Sequence, residues 1–322
     1  MREEIPGFYI VRQSWENNSR TGFIAAVKLN PDYRRIKRHE KTKSAPIADR
    51  FELTKSTGLN IGSIFVVFDD NDGSIAGLLK NSSEKENMLY NFNFPESINN
   101  RVYLSQNSEI FQAMEDKTLY IADGHHRYRT MLDYRDHMRR RESNPEGERP
   151  YDYTMMFLVP SSEILILPYH RLIRNVSPTL IDKMKDNLKE NFIVKKRTDI
   201  IQPEEKEIGF YAGGVYLTLA PRKNENNILD SELLQNNIFS KYLNITEAEM
   251  RTGDSVHYKP GNEDISEIED LIDSGKYHAA FILNYPSFKE IKKISDNDET
   301  MPPKSTYFYP KIPTGIVLNK VN

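Results

Sequence analysis

Leu119-Tyr120-Ile121-Ala122-Asp123-Gly124-His125-His126-Arg127-Tyr128-Arg129-Thr130 decides how this chain is read. It starts as an apolar run and turns at Asp123-Gly124. Beyond the turn, Tyr128, Met131, Leu132, Arg135 and Met138 recur at helical spacing. The expected unit is strand, tight turn, helix. Gly124 lets the backbone turn without a Cβ clash, and the first amides of the helix have no partners inside it. Beside two histidines and an arginine, those amides and the positive end of the helix dipole suit phosphate or another anion. The alternative is a junction whose polar residues only cap the helix.

Outward from this turn, four clusters could carry chemistry. Asp123, Gly124, His125, His126 and Arg127 form the phosphate cradle, and Asp123 is the candidate ligand for Mg²⁺, which needs only one or two carboxylates beside phosphate oxygens. His39-Glu40 offers a carboxylate that could take a proton from a hydroxyl; as a surface ion pair it would do nothing. His170-Arg171 offers a second anion contact, with a buried, hydrogen-bonded histidine as the alternative. Lys304-Ser305-Thr306 and Lys311 lie in a proline-punctuated aromatic tail, Met301 to Lys311, that could equally be a packing segment. Cations near a helix N-terminus suit phosphoryl transfer, which runs on positioning and charge neutralisation. Adjacent histidines on a tight turn seldom face one ion, so a His-ligated transition metal is the weaker use of the turn.

Composition narrows the classes. The 322 residues contain no cysteine, which excludes disulfides, thiol nucleophiles and cysteine-held metals among them. A net charge of −3 leaves no global basic field for nucleic acid, and the basic runs Arg34 to Arg38 and Arg139 to Arg141 read as solvated faces. Met1-Arg2-Glu3-Glu4 carries no signal peptide, and no apolar run approaches the ~20 residues of a membrane span, so a cytoplasmic protein is expected. P-loop, dinucleotide and Gly-x-Ser-x-Gly fingerprints are absent. The acidic run Asp69 to Gly73 reads as a turn, without the distant glutamate of a calcium loop.

The pattern predicts a hairpin of Phe8–Val11 and Phe23–Val27 around a polar loop at 16–22. Further strands are expected at 61–68, 88–94, 102–104, 153–159 and 164–167, the last two joined by a hairpin turn at 160–163. Helices are expected at 47–56 and 108–117, and one from the central turn to near Ser143, followed by a surface loop at 144–148. Beyond a soft boundary near Asn175, helices are expected from Ser177 as N-cap and at 233–243, 265–274 and 287–294. Strands are expected at 192–194, 208–211, 215–219, 279–283 and 315–318. Strands and helices mix without strict alternation, so the fold class is α+β.

Tyr120 to Tyr128, His39-Glu40-x-Thr42, Asp49-Arg50, Leu167-Pro168-x-His170-Arg171 and the Met301–Lys311 tail together resemble the bacterial and archaeal domain-of-unknown-function family 1015, in the same order from about Phe8 to the C-terminus. Members usually begin with a segment carrying Pro-Pro-Tyr-Asp, which does not occur here. The central turn also resembles the nucleotide-binding turn of the ParB/sulfiredoxin superfamily, which includes partition CTPases, sulfiredoxins and free-serine kinases. That resemblance implies a ParB/sulfiredoxin-like mixed-sheet core over 1–175 and an α+β domain over 176–322 whose tail, 301–311, returns to the site. It implies a kinase using ATP or ADP with Mg²⁺ on a small hydroxylated metabolite, serine-like first. Glu40 is then the base, assisted by His39 and Asp123. Gly124, His125, His126, Arg127, His170, Arg171, Lys304, Ser305, Thr306 and Lys311 hold the nucleotide. Two alternatives stand beside it: a nucleotide-gated DNA- or protein-binding module, and a non-catalytic accessory protein that keeps a ligand pocket.

Overall fold

A computed structural model describes residues 7–40, 42, 44–142, 146–222 and 228–322. The expectations resting on Met1–Glu4 and on Ser143, Asn144 and Pro145 lie outside the described residues. The chain forms two compact units that are discontinuous in sequence. The first comprises residues 1–165, 292–300 and 310–322, and the second residues 166–291 and 301–309.

In the first unit the chain runs β1 (Phe8–Trp15), β2 (Asn18–Lys28), β3 (Ile36–Lys37), α1 (Ser44–Thr57), β4 (Leu59–Asn60), β5 (Ile64–Phe68), α2 (Ser74–Lys85), β6 (Met88–Asn93), β7 (Asn99–Ser105), α3 (Ser108–Met114), β8 (Leu119–Asp123), α4 (His125–Arg141) and β9 (Tyr153–Pro160). Eight strands make one mixed sheet in the order β3-β8-β5-β9-β2-β1-β7-β6. The β3–β8 and β5–β9 pairs are parallel and the others antiparallel. Ile64, Val66, Ile121, Met156 and Leu158 from the middle strands pack with Tyr128, Met131 and Leu132 of α4 in one core. This is the apolar stripe read from the sequence, and its burial is what holds α4 against the sheet.

Several expectations give way here. The polar run at 16–22 is not a loop: only Glu16 and Asn17 turn, Glu16 with a φ of 48°, and β2 begins at Asn18. Arg20 is fully buried in that strand. It is tolerated because Gln13 Oε1 accepts from its Nε at 2.9 Å and the carbonyl of Pro310 accepts from its Nη2. Asp69 to Gly73 does turn, but it also starts α2, which the Ser- and Asn-containing sequence conceals. Buried Asp70 accepts from the amides of Ile75 at 3.1 Å and Ala76 at 2.9 Å, satisfying the first turn. No hairpin joins 153–160 to 165–167; Ser161–Glu163 is a 3₁₀ turn. The strand expected at 315–318 is displaced to Asn319–Lys320, which pairs with β4, because Gly315 turns at a φ of 86°. The basic run at 139–141 is not wholly solvated, since Arg139 donates to Asp152 Oδ2.

The second unit holds a six-stranded antiparallel sheet. Its strands are, in chain order, β10 (Tyr169–Ile173), β11 (Phe192–Arg197), β12 (Ile208–Ala212), β13 (Val215–Pro221), β14 (Val256–Pro260) and β15 (Ala279–Ile282). The order across the sheet is β11-β13-β12-β15-β10-β14. Helix Pro178–Asn191 begins with its proline at the first position. Ser177 stands at the N-cap but its side chain makes no capping bond. The helix expected at 233–243 starts at Asp230 and widens into π-helical turns over Gln235–Leu243. Strand β14 and helix Glu247–Thr252 are additional to the sequence reading. Both units mix strands and helices, as the α+β class requires.

Candidate functional site

The central stretch folds as strand, turn and helix. Asp123 is the last residue of β8, and Gly124 occupies the N-cap of α4 with a φ of 97°. That conformation favours glycine. A Cβ here would also lie 2.8 Å from Arg127 Nε and 3.0 Å from Arg127 Cζ, so any other residue would have to displace the guanidinium. The missing side chain is what allows the guanidinium to fold back over the turn.

Two cations bind the two oxygens of Asp123. Lys311 Nζ lies 3.0 Å from Oδ1, and Arg127 Nη2 lies 2.8 Å from Oδ2. Burial raises the Asp123 pKa, but the attraction of Lys311 and Arg127 outweighs it and holds the carboxyl below its usual range. Arg127 also donates to the carbonyl of Ser63, and burial lowers its pKa. Lys311 is positioned from the far end of the sequence: Arg20 donates to the carbonyl of Pro310, and Gln13 Nε2 donates to that of Lys311 at 3.3 Å. Gln13 is itself fixed, donating to Asn100 Oδ1 at 2.8 Å.

Asp123, Arg127 and Lys311 line a cavity of about 480 Å³, within the range of small-molecule sites. Arg50 adds a third cation, and Leu53, Ile61, Phe65, Met131 and Ile312 supply apolar wall. Phe65 stands at a β-bulge in β5 opposite Asp123, the kind of irregularity that re-aims side chains next to a site. Arg50 was not singled out as a site residue; its place beside Asp49 in the motif set was the one signal for it. Nothing in the sequence marked Arg20 or Gln13, whose contacts to the Lys311 segment span 290 and 298 residues.

His39, Glu40, His125 and His126 do not line this cavity; His125, two residues after Asp123, contacts the first two. His125 is buried, and its Nε2 accepts the backbone N–H of His39 at 3.5 Å. Nδ1 therefore carries the proton, and it lies 3.5 Å from Glu40 Oε2. The two imidazoles meet edge to face at 4.7 Å. Burial pushes both down to about 3, so both are neutral. Glu40 keeps a side-chain exposure of 35%, enough to be reached from solvent. His126 is half-buried in the first turn of α4.

In the second unit, His170 is a buried strand residue whose Nδ1 accepts the N–H of Leu283 at 3.3 Å. Burial lowers its pKa to about 4. Arg171, Lys304 and Ser305 line a cavity of about 300 Å³ within that unit, which His170 and the buried Thr306 do not line. Among the described residues no group of three or more His, Asp or Glu could hold a metal ion, and no helix is long and apolar enough to cross a membrane.

The sequence matches the family described as protein of unknown function (DUF1015) over residues 1–240. The chain belongs to that family. No curated protein matches it. Among solved structures it is similar to a mutant free serine kinase in complex with AMP, at 13% identity over 93% of this chain and 91% of that one, with a TM-score of 0.47. It is also similar to a mutant of that kinase in complex with ADP, at 13% identity, the same two coverages and a TM-score of 0.45. C-terminally truncated SbnI from Staphylococcus aureus matches at 12% identity over 92% of this chain and 85% of that one, with a TM-score of 0.47.

Proposed function

We propose that this DUF1015 protein is a nucleotide-dependent phosphotransferase acting on a small hydroxylated metabolite, with ATP or ADP as donor and a serine-like acceptor as first choice. The observation that carries the reading is Asp123 held between Arg127 and Lys311 in a cavity large enough for a small molecule. A carboxylate gripped by two cations marks where an anion is already stabilised. A phosphate arriving there competes for the same donors, and Arg and Lys bind phosphate as readily as carboxylate. Arg50 extends the positive charge, and the apolar wall around Phe65 and Met131 suits the flat face of a base.

Asp123 fits a Mg²⁺ held mainly by phosphate oxygens, since it is ionised and one or two carboxylates suffice. Bound there, the ion would neutralise charge building up on the transferred group. Glu40 is the base of this reading. His125 donates its Nδ1–H toward Glu40 and fixes the carboxylate without adding charge to it. Glu40 takes the proton of the acceptor hydroxyl as that oxygen bonds to phosphorus and the bond to the leaving phosphate breaks. Buried His39, through its backbone N–H, holds the His125 tautomer that makes this possible.

The test is phosphorus NMR of the full chain with ATP or ADP, Mg²⁺ and a panel of hydroxylated metabolites headed by L-serine. A phosphorylated acceptor is expected, with Glu40→Gln slowing turnover on the order of 100-fold while nucleotide affinity stays unchanged. Full turnover by Glu40→Gln, or no transfer to any acceptor, overturns the assignment.

A further inference from the structure

The second unit contains a cavity in which two buried groups of opposite charge have no direct ion-pair partner among the described residues, although Lys206 and Glu290, paired at 2.7 Å, also line it. Arg171 lies on its wall and is 1% exposed. Its guanidinium donates to the carbonyls of Tyr169 at 2.5 Å and Lys304 at 2.9 Å, and it stands 4.6 Å from the centre of the Tyr258 ring. Among the described residues no carboxylate pairs with it, and its Nε has no hydrogen-bond partner. A buried charge ordinarily has a counter-charge, because desolvation is otherwise uncompensated. Asp230 lines the same cavity and is also buried. It accepts the N–H of Asn284 at 3.2 Å and makes no ion pair among the described residues. Burial raises its pKa; Lys206 on the same wall pulls it the other way, but Lys206 is itself bonded to Glu290 at 2.7 Å.

Arg171 and Asp230 do not neutralise one another, although both border one space of about 300 Å³. Lys304, strained at a φ of 57°, and the hydroxyls of Ser231 and Ser305, 2.8 Å apart, line the same space. A left-handed lysine is a cost the fold carries; its exposed ammonium stands 5.2 Å from the centre of the Tyr169 ring, which lines the same cavity.

We propose that this cavity is a binding site for a small zwitterion, its anionic group taken by Arg171, Lys304 and Ser305 and its ammonium by Asp230. One ligand then supplies a direct ion-pair partner to each. The proposal stands independently of the nucleotide reading.

The test is calorimetry on the full chain with glycine, γ-aminobutyrate and phosphoethanolamine as zwitterions. Glycolate supplies the anion alone and ethanolamine the ammonium alone; inorganic phosphate serves as a further anion. At least one zwitterion is expected to bind tenfold or more tightly than glycolate, ethanolamine and phosphate. A carboxylate preference favours glycine or γ-aminobutyrate, and a phosphate preference favours phosphoethanolamine. Asp230→Asn is expected to abolish that advantage while leaving glycolate unchanged. Exposed Lys304→Met, which does not threaten the core, weakens zwitterion and glycolate alike. Arg127→Ala, in the first unit, leaves all of these affinities in place. The proposal is overturned if no zwitterion binds, if glycolate or phosphate binds as tightly as the zwitterions, or if Arg127→Ala removes binding that Asp230→Asn and Lys304→Met retain. A separate ATP or ADP titration tells failure here from failure of the nucleotide reading.

Discussion

Lowering the pH from 7 to 5 should destabilise the first unit through two buried histidines that meet edge to face. His39 and His125 are 1% and 4% exposed, and burial holds both near a pKa of 3. In the unfolded chain each titrates at about 6.5. The folded state therefore binds fewer protons than the unfolded state between those values, and stability falls with pH across that window. Above pH 6.5 the penalty is absent; it grows as pH falls toward 3. At pH 5 each imidazole costs about 2 kcal/mol relative to pH 7, together about 4 kcal/mol, a large fraction of ordinary domain stability. Trp15, the one tryptophan and buried in this unit, reports its unfolding. Urea titrations followed by Trp15 fluorescence at pH 7, 6 and 5 should show the loss. Replacing His39 and His125 by asparagine should flatten the pH dependence, whatever it does to stability at pH 7. A wild-type stability constant between pH 7 and 5, or histidine resonances that titrate near 6.5 in the folded protein, would refute the reasoning.

Two further outcomes follow from the central turn and from the start of α2. Gly124→Ala forces a left-handed alanine and pushes its Cβ into Arg127; a loss of about 1–3 kcal/mol in urea unfolding is expected, and a fully stable variant would contradict the geometry. Asp70→Ala removes the acceptor for two amides of α2, which should cost about 1–2 kcal/mol, whereas Asp70→Asn should recover part of it in the same assay.

The central turn was legible because three independent signals coincide there. An apolar run, a glycine at the one place that needs a left-handed φ, and a 3.6-residue apolar stripe all fall within Leu119 to Met138. The union of Asp123 with Arg127 is a local, four-residue relation along the same turn, so it too could be read from spacing. The rest of the site is held by long-range contacts that no local pattern records. Arg20 looks like loop because an arginine in a polar run carries no sign of the Gln13 and Pro310 acceptors that allow its burial. Lys311 reaches Asp123 across 188 positions of sequence, and Arg50 joins the cavity from α1. Helix α2 was missed for the same reason on a smaller scale: its cap is supplied by Asp70, five and six residues away. The final strand moved because Gly315 is used as a turn rather than as the start of an extended run.

Nucleotide binding at the Asp123–Arg127–Lys311 cluster is the claim on which the phosphotransferase reading depends. Calorimetric titration of the full chain with ATP and ADP in the presence of Mg²⁺ addresses it directly. Wild type should bind one of them, and Arg127→Ala, with its fold checked by circular dichroism, should bind about 10- to 100-fold more weakly, as expected for losing one charged hydrogen-bond donor. A wild-type protein that binds neither nucleotide, or an Arg127→Ala variant that binds as tightly as wild type, would contradict the account.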